Sequence, residues 1–142
     1  MRNILVATDG SSGADRAVDV AAEFAKAVDG NLSIMTVAGN LSGEELRQLA
    51  HAERNTSDVL ESLSTQTLMA AKERAQRLSV SAIQIKTAWG DPAEAIIEAA
   101  RREHADAIVV GRRGRGQLAG LLLGSVSQKV VSLAPCTVII VP

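Results

Sequence analysis

Two glycine-rich turns contain the residues whose types and spacing could do chemistry. The first, Asp-Gly-Ser-Ser-Gly at residues 9–13, follows a short apolar run, and the second, Gly-Arg-Arg-Gly-Arg-Gly, occupies residues 111–116. Glycine lets the backbone turn sharply and approach a ligand without a Cβ atom in the way. Gly124 and Ser125 then begin a helical pattern, and a helix start suits a phosphate because its amides are unpaired and its dipole end is positive. The spacing predicts a phosphate site, although a flexible connector ending in a glycine cap would give the same pattern.

Charged and hydroxyl side chains accompany both turns. Asp9 would be repelled by phosphates, so we expect it to bind ribose hydroxyls or a Mg²⁺ ion that bridges to the phosphates. The alternative is that Asp9 caps the first helix. The hydroxyls of Ser125 and Ser127 can donate hydrogen bonds to a phosphate. Three arginines form the only dense positive cluster: Arg112, Arg113 and Arg115. Arginine can bind phosphate with two parallel hydrogen bonds, or these side chains can simply be solvated.

Better-known phosphate and catalytic motifs are missing. There is no G-x-x-x-x-G-K-[ST] motif, and residues 9–13 lack the spacing of a dinucleotide-binding G-x-G-x-x-G. No Ser/His/Asp or Cys/His set is visible near the turns, since His51 and His104 are expected on helix surfaces. We expect Trp89 to plug an edge of the core and Cys136, in an apolar run, to be a buried and inert thiol.

Composition excludes several classes of protein. The chain has 142 residues and is 46% hydrophobic, which is typical of one globular domain. A net charge of -1 and only one Phe and one Trp argue against binding to nucleic acid. No apolar run approaches the length of about 20 residues that a membrane span needs, and residues 4–7 are too short for a signal peptide. We therefore expect a cytoplasmic protein.

Short apolar runs alternate with longer amphipathic segments along the chain. The predicted strands are 4–7, 32–37, 83–88, 107–110 and 137–141. The predicted helices are 14–28, 42–78 with a break near 55–57 and a cap at Thr56 or Ser57, one that Asp91 caps with Pro92 at its first position, and 125–133. Strands that are apolar throughout and separated by helices indicate a parallel sheet covered on both faces. The expected fold is a doubly wound α/β sandwich of five strands.

The two turns also carry a family resemblance. The pattern Gly111-x2-Gly114-x9-Gly124-Ser125 resembles the G-x2-G-x9-G-[ST] motif of the ATP-binding branch of universal stress proteins. Residues 4–11 (ILVATDGS), 90–92 (GDP) and 135–142 (PCTVIIVP) are similar to family segments in order and distance. The resemblance implies one universal stress protein domain over residues 1–142, with an adenine-nucleotide α-hydrolase-like fold of strand order 3-2-1-4-5.

That strand order implies where the ligand binds. Ligands of open α/β sheets bind beyond the carboxyl ends of strands where the winding direction reverses, which is here between strands one and four. Asp9 and Gly111 should then face each other across one crevice. By resemblance, Ala7, Thr8 and Asp9 contact adenine and ribose, and Val37 lies beside the adenine ring. The resemblance also implies that Val110, Gly111, Arg113 and Gly114 face ribose and phosphates, and that Gly124, Ser125 and Val126 hold the phosphate chain. Ser127 is added to the site because of its hydroxyl.

The function that follows is a binding module. ATP, or ADP or AMP, would order the segment 111–125 and change which regulatory protein partner the chain engages. No catalytic base is evident, so any hydrolysis should be slow. A slow metal-dependent ATPase that uses Asp9, and an interaction protein with a vestigial pocket, remain alternatives. The apolar last strand, 137–141, would form an exposed sheet edge, and the resemblance implies a homodimer through it.

Overall fold

Helices and strands alternate along the chain in the computed structural model. The structure describes residues 2–39, 47, 50, 51, 56–113 and 122–142. The elements are β1 (Asn3–Ala7), α1 (Ser12–Ala27), β2 (Asn31–Val37), α2 (Thr56–Arg77), β3 (Ile83–Ala88), α3 (Pro92–Arg102), β4 (Ala107–Gly111), α4 (Ser125–Leu133) and β5 (Thr137–Val141). Each predicted strand is present, with its bounds shifted by at most one residue.

The five strands form one parallel sheet in the order β3-β2-β1-β4-β5. β1 is central: Val6 is in register with Ile34 of β2 and with Val109 of β4. β3 and β5 are the edge strands. The direction of winding reverses between β1 and β4, so the expected doubly wound fold and strand order are confirmed.

Helices cover both faces of the sheet, which explains why the central strands β1 and β4 are apolar along their buried length. Ile4 and Val6 of β1 point to the layer of α1 and α2 and are at most 1% exposed. Leu5, between them, belongs to the core beneath α3 and α4, together with Ile108 of β4. This alternation follows from the two-residue period of a strand. It places the β1 and β4 backbones at the centre of the molecule.

Two helix starts have side-chain caps, and one of them corrects an expectation. The Oγ of Ser11 accepts a hydrogen bond from the amide of Ala14 at 3.2 Å, so Ser11 and not Asp9 caps α1. Asp9 lies two residues earlier, where its Oδ1 accepts from the amide of Ser11 at 2.9 Å. Asp91 caps α3 as predicted, accepting from the amide of Glu94 at 3.0 Å.

The beginning of α2 differs from the sequence interpretation. The helix already includes Thr56 and Ser57, so neither residue is its cap. Residue 55 lies outside the described residues, as does most of the predicted helical segment 42–55. Cap positions are hard to assign from sequence because a shift of one residue changes the role of a side chain.

Three other residues lie elsewhere than expected. Trp89 is 57% exposed instead of plugging the core, because the left-handed Gly90 (φ +102°) leads the chain away from the end of β3. His104 is exposed, as expected, but follows α3 in a left-handed conformation (φ +52°) instead of lying in a helix. Cys136 is half-buried instead of buried, and partial burial raises the pKa of its thiol.

None of the described helices is both long enough and apolar enough to cross a lipid bilayer.

Candidate functional site

A crevice opens at the carboxyl ends of β1 and β4, where the winding reverses. Its volume is about 240 Å³. Every site residue predicted from the sequence that lies in the described part of the chain lines it: Ala7, Thr8, Asp9, Val37, Val110, Gly111, Arg113, Gly124, Ser125, Val126 and Ser127. Asp9 and Gly111 thus lie at one rim of the sheet, as the strand order requires.

The remaining residues of the arginine-rich turn are placed differently. Gly114 and Arg115 lie outside the described residues. Arg112 is not among the residues that line the crevice. Its main chain instead joins two elements, because its amide donates to the carbonyl of Val141 at 2.6 Å and its carbonyl accepts from the amide of Gly124 at 2.8 Å. Of the three arginines, only Arg113 is shown to reach the crevice.

One side of the crevice is apolar. Ala7, Val37 and Val110 supply it from the ends of three neighbouring strands, and Pro92 and Ile96 supply it from the first turns of α3. The last two were missed from the sequence. The predicted helix start at Asp91 and Pro92 contained the signal, since a helix that directly follows a parallel strand begins at the same rim as the strand ends.

The turn after β1 forms a second side, and its conformation is set by its own side chains. The Oγ1 of Thr8 accepts from the amide of Gly10 at 3.1 Å, while Asp9 and Ser11 accept from amides two and three residues further on. Hydrogen bonds of this local kind hold turns in one shape. The Asp9 carboxylate is therefore presented to the crevice from a defined turn. Ser11 and Ala14, which also line the crevice, were not predicted.

The amino end of α4 forms the third side. Gly124 occupies the cap position and has no side chain that could bond the first amides of the helix. The amides of the first turn have no acceptor within the helix itself. Because Gly124, Ser125 and Val126 all line the crevice, this positive end of the helix dipole faces it. An anion in the crevice would meet backbone donors there.

Ser127 has a role that differs from the one inferred for it. Its Oγ lies 2.8 Å from the carbonyl oxygen of Arg112 and 3.1 Å from that of Gly124, and the residue is 3% exposed. A hydroxyl has a single proton to donate, and here it is directed to these carbonyls. Ser127 therefore holds the turn after β4 against the start of α4.

Comparison with known proteins identifies the family. The model of the universal stress protein family matches residues 1–142. The chain belongs to the universal stress protein family. It is 38% identical to the "Universal stress protein in QAH/OAS sulfhydrylase 3'region" of Thermus aquaticus, over 99% of this chain and 98% of that protein.

Solved universal stress proteins share the fold. One, solved in complex with cAMP, superposes with a TM-score of 0.78 at 31% identity, covering 99% of this chain and 97% of that one. UspA from Lactobacillus plantarum superposes with a TM-score of 0.79 at 26% identity, over 99% and 97% of the two chains. The architecture described above is thus the one found in this family.

The donor set of this universal stress protein suits a metal ion only in part. Within the described ranges, no three His, Cys, Asp or Glu side chains cluster closely enough to hold one. Among the residues that the structure describes, Asp9 is the only carboxylate that lines the crevice. Proteins commonly bind Mg²⁺ through one or two carboxylates together with the phosphates of a bound ligand. The residues therefore fit a Mg²⁺ ion that arrives with a nucleotide better than a resident ion.

Proposed function

We propose that this universal stress protein binds an adenine nucleotide, ATP or its relatives ADP and AMP, in the crevice as a regulatory ligand. One observation carries the proposal: apolar side chains and the start of α4, which has no side-chain cap, line the same crevice. Apolar side chains suit the adenine base, and the unpaired amides at the start of a helix suit a phosphate chain. The relative that was solved with cAMP, at 31% identity, supports an adenine nucleotide.

In this proposal the base and the ribose lie on the β1 side. Ala7, Val37 and Ile96 offer an apolar surface to adenine, and Val37 lies beside the ring. Asp9 accepts hydrogen bonds from ribose hydroxyls or binds a Mg²⁺ ion shared with the phosphates. Thr8 is 5% exposed, and its hydroxyl, which accepts from the amide of Gly10, keeps a proton that it can donate.

The phosphates lie between the turn after β4 and α4. Gly111 leaves room for them, Arg113 supplies positive charge, and the amides at Ser125 and Val126 donate hydrogen bonds. Gly114 of the sequence motif completes this group in the proposal. The motif therefore favours the ATP-binding branch of the family.

The nucleotide acts as a signal in this proposal and is not a fuel. Of the described residues that line the crevice, Asp9 alone carries a carboxylate or imidazole that could serve as a base, and its Oδ1 accepts from the amide of Ser11. Binding would order the segment 111–125 and change which regulatory protein partner is engaged in a cytoplasmic stress response.

The same proposal includes a homodimer through β5. Thr137–Val141 is an edge strand that pairs with β4 on one side. Val131 and Leu133 of α4, which precedes β5, are 48% and 53% exposed. An apolar edge of this kind is a template for pairing with another chain. A second copy of β5 would cover it.

Calorimetric titration tests the ligand class. ATP, ADP, AMP and cAMP are titrated with and without Mg²⁺, and GTP serves as the control for the base. We expect dissociation constants in the micromolar range for at least one adenine nucleotide and at least tenfold weaker binding of GTP. Absence of binding by every adenine nucleotide would refute the proposed function.

Single-turnover hydrolysis separates a binding module from an ATPase. The wild type and Asp9→Asn are each mixed with ATP at a protein concentration above that of ATP. Mg²⁺ is present in excess of the ATP. We expect little turnover by either protein. Measurable Mg²⁺-dependent hydrolysis that Asp9→Asn abolishes would instead support the alternative, a slow metal-dependent ATPase, and would contradict a purely regulatory role.

A further inference from the structure

Two distant segments touch backbone to backbone beside the crevice. Gly13, in the first turn of α1, is buried, and a Cβ atom placed on it would lie 3.1 Å from the carbonyl oxygen of Arg113. A Cβ atom placed on Gly111 would lie 3.2 Å from both the carbonyl carbon and the carbonyl oxygen of Gly13. Most real Cβ contacts are longer than these. The turn after β4 therefore packs on α1 so closely that a Cβ atom at residue 13 would require the Arg113 peptide to shift.

Arg113, whose carbonyl makes this contact, is also a residue of the crevice. Arg113 lines the crevice with its neighbour Gly111. On its other side, a Cβ atom placed on Gly124 would lie 3.4 Å from the Cα atom of Arg113. Arg113 is thus located between the start of α1 and the start of α4. A shift of either helix start would move it.

Helix formation gives no reason for glycine at residue 13. Gly13 lies inside α1 and not at a positive φ angle, and glycine is among the poorest helix formers. Alanine would be preferred on propensity alone. The close approach of the Arg113 carbonyl is the feature that requires the missing side chain, and the contacted atom belongs to the backbone, which cannot rotate away as a side chain would.

We propose that Gly13 is a positioning residue of the nucleotide site, which sets the location of Arg113 relative to the phosphates. The inference rests on the proposed function and adds a residue of α1 to the phosphate side. Gly13 itself does not line the crevice. A methyl group at residue 13 would push the Arg113 peptide by a few tenths of an ångström. Hydrogen bonds to phosphate weaken steeply with such displacements.

The test compares Gly13→Ala with Ser12→Thr, which adds one methyl group at the neighbouring, exposed position of the same turn. ATP and adenosine are titrated into each variant and the wild type. We expect Gly13→Ala to bind ATP about threefold to tenfold more weakly. Its affinity for adenosine, which has no phosphates, and its melting temperature, to within about 4 °C, should be unchanged. Ser12→Thr should match the wild type in its affinity for ATP, its affinity for adenosine and its melting temperature.

Each other result overturns the inference in a recognisable way. Wild-type ATP affinity in Gly13→Ala would show that the contact does not position the loop. Equal losses for ATP and adenosine, or a sharp fall in melting temperature, would show that Gly13 supports the fold only. If the wild type binds neither ligand, the proposed function fails and takes this inference with it.

Discussion

At the scale of single residues, the hydroxyl groups around the crevice have two kinds of environment. Those of Thr8, Ser11 and Ser127 bond to nearby backbone groups and keep the turns in shape. The hydroxyl of Ser125, which is exposed at the first position of α4, makes no hydrogen bond within the described part of the chain. Of these four hydroxyls, it is therefore the one with both its proton and its lone pairs available to a ligand.

Replacing Ser125 tests that distinction. Ser125→Ala should weaken ATP binding about twofold to tenfold, because one hydrogen bond contributes about 0.5–1.5 kcal/mol. Ser132→Ala is the matched control: it lies in the same helix and bonds to the carbonyl of Gln128 at 3.0 Å, two turns away from the crevice. Titration calorimetry measures both. Equal ATP affinities for Ser125→Ala and the wild type would remove this side chain from the site.

The site residues could be predicted where the backbone turns sharply, but not where another helix contributes. The spacing of the glycines and the ends of the apolar runs indicated that Asp9, Gly111 and Gly124 belong to the site. Residues typical of turns can be recognised in a sequence. Pro92 and Ile96 were missed because their contribution depends on how α3 packs against the sheet. Ser127 was identified, yet its hydrogen-bond partners are carbonyls that only the folded backbone brings near.

At the scale of elements, the positions of the strands in the sequence could be predicted. The location of the residues that follow a strand could not. Apolar runs located every strand to within one residue, because strands buried on both faces have a composition of their own. The strand order, by contrast, came from the family resemblance and not from periodicity. The burial of Trp89 was predicted wrongly because a residue that follows a strand no longer alternates between the two faces of the sheet. The next residue, Gly90, is in a left-handed conformation.

A carboxylate joins β1 to the loop before β4. The Oδ2 of Asp106 accepts from the amides of Arg2 and Asn3 at 2.8 and 2.9 Å. These bonds, that of Asn3 first, lower the pKa of Asp106 below its usual value. A group whose pKa is lowered by folding adds stability above its unfolded pKa, and this is lost as the pH falls through the folded pKa.

Asp106→Asn should therefore change how stability depends on pH. At pH 7 we expect the variant to melt at a lower temperature than the wild type. The difference should shrink as the pH falls from about 4, near the pKa of an Asp carboxyl in the unfolded chain, down through the lowered pKa of Asp106 in the folded protein. Thermal melts monitored by circular dichroism between pH 7 and pH 2.5 measure it. A difference that is constant over this range would contradict a role for the carboxylate charge.

At the scale of the whole molecule, the two ends of the sheet differ. β3 is packed by α2, while the apolar edge strand β5 has exposed apolar side chains of α4 preceding it in the chain. Proteins protect such edges with charge or cover them with another chain. Thr137, the first residue of β5, is exposed. A substitution there can test whether another chain covers this edge.

Sedimentation at micromolar concentration should show a particle of twice the monomer mass. Thr137→Lys should weaken this self-association at least tenfold, because a lysine on an edge strand opposes pairing. Met69→Lys is the control, since Met69 is 51% exposed on α2, away from β5. A wild type that remains monomeric, or equal effects of the two substitutions, would refute pairing through β5.

The crevice lies at the ends of the two most deeply buried strands, and this has a consequence for hydrogen exchange. Ile4, Val6, Ile108 and Val109 are at most 1% exposed, so their amides should exchange with deuterium only when the whole molecule unfolds. A ligand bound to the folded state slows such exchange by a factor of 1 + [L]/Kd. At a ligand concentration 100 times the dissociation constant, these amides should exchange about a hundredfold more slowly, although none of the four residues lines the crevice. Protection confined to the two turns would show instead that the central strands open locally.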